Sequence, residues 1–144
     1  LVANKTDVAP ESFEEFPFSA RFKEVCRYNS PREHLFLAFR DGRVVGGAMV
    51  SLPGAPTDWS YYGCDCGLFG PAGVVRSLRG KGVGTVLLFE SIARLRDLNC
   101  ASALIPTNAT TFPFYARAGF RIVRVSIHME RTLAPVIVKF KEVL

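Results

Sequence analysis

The spacing of apolar and polar positions changes period several times along the chain, and each change predicts an element. Phe13, Phe16, Phe18, Phe22 and Val25 recur at three- and four-residue intervals, which predicts short helices interrupted at Pro17, where the missing N–H breaks the ladder. Residues 34–39 and 44–50 are apolar runs on either side of Asp41-Gly42. That pair tolerates the positive φ angles of a two-residue turn, so the runs predict a β-hairpin. Residues 52–69 are broken by Pro53, Gly54, Pro56, Gly63 and Gly67 and read as a long loop carrying Asp58, Trp59, Tyr61, Tyr62 and Asp65.

Beyond the loop, residues 68–75 predict a strand and residues 83–99 a helix. Leu88, Ile92 and Leu95 fall on one helix face and Glu90, Arg94 and Asp97 on the other. Residues 101–105 predict a short buried strand. Thr110 or Thr111 is placed to cap a short helix that Gly119 stops. Residues 121–128 alternate Ile122, Val123, Val125 and Ile127 with polar positions and predict a returning strand, and residues 136–140 a last strand or a packed tail. This order predicts an α/β sandwich around a mixed sheet.

Composition narrows the partners. A chain of 144 residues, 49% hydrophobic, is expected to form one domain over residues 1–144. A net charge of +5 favours an anionic partner, either a phosphorylated cofactor or nucleic acid. The basic residues are spread along the chain with no Lys/Arg run and no interleaved basic and aromatic module, which argues against nucleic acid. No apolar run approaches the roughly 18 residues of a membrane span, and residues 4–15 are too polar and acidic for a secretory leader. A cytoplasmic protein with no membrane partner is expected. Of the cysteines, Cys64 and Cys66 lie too close together for a C-x-x-C unit, and Cys26, Cys100, His34 and His128 are far from them in sequence. Free thiols and no metal site follow.

The clearest chemistry lies in Val74-Val75-Arg76-Ser77-Leu78-Arg79-Gly80-Lys81-Gly82-Val83-Gly84-Thr85, a strand end that enters a basic, glycine-rich turn and then a helix. The glycines allow the backbone to turn tightly and bring several N–H groups to one anion, where the helix adds the positive end of its dipole. Arg79 and Lys81 add full charges.

Arg79-Gly80-Lys81-Gly82-Val83-Gly84 resembles the R/Q-x-x-G-x-G/A signature of the GNAT acetyltransferases. A second stretch matches independently: Asn108, then Tyr115 seven residues later, then Ala118-Gly119-Phe120. The resemblance covers residues 35–129. It implies a mixed, mostly antiparallel sheet flanked by helices, with the strand before the glycine-rich turn bulged and splayed from its neighbour. It also implies acetyl-CoA as cofactor. The pyrophosphate would be held by backbone N–H groups of Arg79, Gly80, Lys81, Gly82, Val83, Gly84 and Thr85, and the pantetheine arm by groups at Val74 and Val75. Asn108 would meet the cofactor from the opposite side, and Tyr115 would protonate the departing thiolate. A turn-closing role for Asn108 and a packing role for Tyr115 are the alternatives.

Departures from the family pattern also inform. The strand before the turn offers no carboxylate to act as base, the nearest acid being Asp65. An apolar first strand before Phe13 is missing beyond Leu1-Val2-Ala3, so either that strand is distorted or the chain begins inside a longer protein, with a fused N-terminal domain or a dimer partner as the expected source. Gly67-Leu68-Phe69-Gly70-Pro71-Ala72-Gly73-Val74, with Phe16-Pro17-Phe18 upstream, is similar to GNAT domains at the C-terminal end of larger chains, in tandem GNAT proteins or after a glycoside hydrolase. The implied activity is acetyl transfer to a small-molecule amine, with an amino sugar such as glucosamine as the candidate. Trp59, Tyr61 and Tyr62, with the phenylalanines of residues 13–22, would wall the acceptor. The missing carboxylate supports the alternative of a non-catalytic CoA-binding or interdomain module.

Overall fold

The computed structural model describes residues 8–28, 30–53, 66–125, 127 and 129–131. The chain divides into two compact units, Leu1–Pro106 and Thr107–Leu144.

The first unit holds a four-stranded sheet in the order β1-β2-β3-β4. β1 (Glu33–Arg40) and β2 (Arg43–Ser51) form the expected hairpin, with Asp41 at φ 50 and Gly42 at φ 75, the positive pair that a type I′ turn requires. β3 (Cys66–Val74) runs antiparallel to β2, and β4 (Ser102–Leu104) parallel to β3. Both antiparallel ladders slip by one residue. The first slip lies where Ala38 faces Gly46 but Phe39 faces Val44, leaving Val45 extra on β2. The second lies where Ala48 faces Ala72 but Val50 faces Phe69, which bulges β3 at Gly70 and Pro71. Pairing between β3 and β4 stops at Leu68↔Leu104. Past that point β3 continues to Val74 with its outer edge unpaired among the described residues, the splay the resemblance implies.

Helices cover both faces. α1 (Ser19–Tyr28) packs on β1 and β2 and buries Phe22 and Val25; a side chain at Gly47 would collide with the Phe22 ring at 2.9 Å. Phe22, Val25, Leu35, Leu37, Val44 and Met49 form the core of this face, joined by Phe13 and Phe16. α2 (Val83–Asp97) crosses β1, β2 and β3 and buries Leu87, Leu88, Ser91 and Leu95, with Ser91 Oγ donating to the Leu87 carbonyl at 2.7 Å. Gly67 lets Leu95 lie directly on β3, since a Cβ there would come within 2.3 Å of it. Strand alternation puts Gly67 and Gly47 on opposite faces of the sheet.

The N-terminal reading needs correction. A 3-10 turn at Pro10–Ser12 precedes an extended stretch, not a helix: Phe13 bridges Val44 in parallel and Glu14 N–H donates to the Val44 carbonyl at 2.9 Å. Phe13 and Phe16 are buried all the same, because an extended segment on the sheet meets the core as well as a helix would. Arg43 ties the stretch down through its ion pair with Glu14.

In the second unit α3 (Phe112–Arg117) has Pro113 in its first turn and Gly119 beyond its end at φ 90. The strand expected over residues 121–128 is not formed by its described residues. Ile122, Val123, Val125 and Ile127 are 60–85% exposed, and no described strand in this unit offers them a ladder. The loop residues Asp58, Trp59, Tyr61, Tyr62 and Asp65, and residues 136–140, lie outside the described residues. No described His, Cys, Asp or Glu residues group as a metal site.

Candidate active site

The first unit presents a strand end and a helix start. Val75 N–H donates to the Val45 carbonyl at 2.8 Å, and the Val75 carbonyl accepts from Leu78 at 3.0 Å, so both of its backbone groups are engaged within the fold. Antiparallel alternation then turns the N–H and carbonyl of Val74 toward the opposite edge, the one β4 has left. The Val74 carbonyl accepts from Arg79 Nε at 3.2 Å. Among the described residues, the open donor of the pair is therefore at Val74.

From Val75 the chain makes a 3-10 turn, Arg76–Leu78, and then enters the glycines. Gly80 at φ 73 and Gly82 at φ 86 occupy left-handed conformations that other side chains resist. A Cβ at either would meet nothing within 4 Å, so backbone conformation, not space, demands glycine there. Gly82 leads α2 with no side-chain cap, and the first intrahelical bond is Val86 N–H to the Gly82 carbonyl at 3.0 Å. Among the described residues no carbonyl accepts from Gly80, Lys81, Gly82, Val83, Gly84 or Thr85 N–H. These donors lie at the positive end of the α2 dipole. Arg76, Arg79 and Lys81 are exposed beside them, and none joins an ion pair among the described residues. Convergent open donors with unneutralised cations are what a pyrophosphate needs, so the residues fit the phosphate portion of a CoA-type cofactor.

In the second unit Asn108 organises the start of α3. Its Oδ1 accepts from Thr110 N–H (3.0 Å), Thr111 N–H (3.1 Å) and Thr111 Oγ1 (3.1 Å), while its carbonyl accepts from Phe112 N–H at 2.9 Å. Thr111 stands at the N-cap of α3 but makes no side-chain cap bond, and Asn108 Oδ1 instead closes the turn that leads into the helix; among the described residues no hydrogen bond engages its side-chain amide nitrogen. Tyr115 packs edge-on against Phe114 and Phe120, with ring centres 5.1 and 6.0 Å apart. Burial pushes its phenol up from the ordinary value near 10, which keeps it protonated at neutral pH.

The family model described as Acetyltransferase (GNAT) family matches residues 4–120. The chain belongs to the GNAT acetyltransferase family. No curated protein sequence matches it. Solved GNAT structures share its fold at low identity. Glucosamine-6-phosphate N-acetyltransferase from Arabidopsis thaliana is 18% identical, with a TM-score of 0.58 over 81% of this chain and 77% of that one. Aminoglycoside N-acetyltransferase AAC(6')-Iy, in complex with CoA, is 20% identical, with a TM-score of 0.60 over 79% and 85%. An acetyltransferase from Clostridium acetobutylicum, solved with acetyl-CoA, is 14% identical, with a TM-score of 0.59 over 78% and 71%.

Within this GNAT chain one close approach escaped the sequence reading. A Cβ on Gly73 would stand 2.1 Å from the Pro17 carbonyl, so the turn before α1 lies on β3 one residue from Val74. Glycine inside a strand pattern is the signal that marks such an approach.

Proposed function

We propose that this GNAT protein is an acetyl-CoA-dependent N-acetyltransferase acting on a primary amine of a small molecule, with an amino sugar such as glucosamine the first acceptor to test. The observation that carries the reading is the uncapped start of α2, with open N–H groups between two left-handed glycines at the end of a splayed strand. Neighbours named for glucosamine-6-phosphate and aminoglycoside N-acetylation support the choice of acceptor.

When bound, acetyl-CoA supplies an activated acetyl thioester. Arg79, Gly80, Lys81, Gly82, Val83, Gly84 and Thr85 would hold its pyrophosphate, chiefly through backbone N–H groups. Val74 would bind the pantetheine arm along its open edge, and Val75, through its bond to Val45, keeps that strand end in place. Asn108 would contribute its amide nitrogen. Tyr115 would be the proton donor to the departing sulfur, and its burial, which raises the phenol above its ordinary range, keeps that proton available at neutral pH. β3 carries no carboxylate, and the amine could lose its proton to solvent through a water chain.

Thermal denaturation tests the cofactor part: CoA and acetyl-CoA raise the melting temperature, and the Arg79→Glu, Lys81→Glu double variant abolishes the rise. No rise in the parent at millimolar CoA would remove the reading. Acetyl transfer to glucosamine, spermidine and a peptide amine then separates an enzyme from a CoA-binding module, because a module shows the thermal shift without turnover. In the enzyme, Tyr115→Phe is expected to lower kcat about a hundredfold, the lower end of general acid catalysis. Unchanged turnover would take Tyr115 out of that role.

A further inference from the structure

The turn leading into α1 holds a conformation that its residue disfavours. Ser19 N–H donates to the Phe16 carbonyl at 3.1 Å, closing a four-residue turn with Pro17 second and Phe18 third. Phe18 has φ 68, the left-handed third position that a type II turn gives to glycine. Among the described residues only Asp41 and Asn99 share positive φ without being glycine, and their short polar side chains tolerate it. A phenylalanine there is strained.

The strain is not repaid by burial. Phe13, Phe16 and Phe22 are 5%, 6% and 0% exposed, whereas Phe18 is 53% exposed. Its placement is nevertheless tightly fixed. The Pro17 carbonyl sits where a Gly73 side chain would be, and the Phe18 carbonyl accepts from Phe22 N–H at 3.1 Å as α1 begins. Proline before it and the helix after it fix the backbone from which the ring projects. One residue beyond Gly73, Val74 turns its N–H to the open edge of β3.

We propose that Phe18 is a specificity residue for the acceptor: a strained, outward ring anchored on β3 beside Val74, forming an apolar wall for the carbon skeleton that carries the amine. This rests on the acetyl-transfer reading above. The ring has no hydrogen-bonding group, so it selects by C–H contact. It favours a monoamine with a flat hydrocarbon face, such as the pyranose ring of an amino sugar or an arylalkyl amine, over a polyamine.

The test uses the full chain and three acceptors: glucosamine, 2-phenylethylamine and spermidine. Phe18→Gly is expected to raise the melting temperature by relieving the turn, and to raise KM for glucosamine and 2-phenylethylamine about tenfold, the lower end of what an apolar pocket contact is worth. Its kcat and its KM for acetyl-CoA stay those of the parent, the pattern of a lost binding contact. Phe18→Leu keeps apolar bulk and recovers most of the acceptor KM without the gain in melting temperature. An unchanged acceptor KM in Phe18→Gly would overturn the proposal, as would a lower melting temperature, which would make the ring a packing element. A parent that acetylates none of the amines also overturns it, while CoA stabilisation in the same samples decides the cofactor reading separately.

Discussion

The starts of α2 and α3 solve one problem in opposite ways. Every helix begins with N–H groups that have no partner inside it. In the turn that leads into α3 the chain supplies an acceptor, Asn108 Oδ1, for Thr110 and Thr111, and the Asn108 carbonyl takes Phe112 N–H. At α2 no described carbonyl or side chain takes that place, and Gly80 and Gly82 hold left-handed conformations there. The donors ahead of α3 are satisfied by Asn108, whereas those ahead of α2 meet no described carbonyl and lie beside exposed Arg79 and Lys81, which is the setting an anion favours.

The strongest way to break this contrast is to give α2 a cap of its own. Gly82→Asp places a carboxylate on these donors at a positive φ that aspartate adopts only with some strain. The apo protein should melt somewhat below the parent temperature, while CoA stabilisation disappears, a loss of about 2.7 kcal/mol at CoA a hundredfold above Kd. Retained stabilisation would separate the cofactor from this helix start.

Removing the Asn108 acceptor in the turn before α3 should have a smaller effect of another kind. Asn108→Ala is expected to cost about 1 kcal/mol in denaturant unfolding, as cap removals typically do, while CoA still raises the melting temperature. A weakened CoA response beyond the stability loss would show that the Asn108 amide nitrogen also meets the cofactor.

The smallest effect concerns Tyr115. Its folded pKa lies above the unfolded value near 10, so above pH 10 the folded chain still holds a proton that the unfolded chain has released. Stability therefore falls as pH rises through that window and is unaffected well below it. Tyr115→Phe should flatten the decline in melting temperature above pH 10 and leave pH 8 unchanged. Equal slopes would mean the phenol is no better buried than in the unfolded chain.

Local features were legible because their determinants are local. Asp41-Gly42 encodes its turn, the glycines at 80 and 82 encode theirs, and the apolar stripe of α2 needs only its own period. What the residue pattern hid depends on distant partners. Phe13 and Phe16 have helical spacing yet lie extended, since Val44 offers a backbone partner that no local rule reveals. Residues 121–128 alternate like a strand, but alternation supplies only a face, and a strand also needs a ladder. The engagement of Val75 followed from an extra residue at Val45, thirty positions upstream, and so could not be read from the turn itself. Gly73 did carry a local mark, glycine in a strand, but its meaning needed Pro17.

The short parallel seam between β3 and β4 has a consequence for the order of assembly. Cys66 and Ser102, which meet there, are 36 positions apart in sequence, with all of α2 between them. The β1–β2 hairpin closes over two residues, so it can form early and wait. The seam must await the crossover and then secures only Cys66, Gly67 and Leu68. It should be the last ladder to zip and the first to open, with amide exchange faster in Ser102–Leu104 than at Phe36 or Ala48. Breathing of the sheet then begins beside the Val74 edge, where a guest inserted between the strands would slow it.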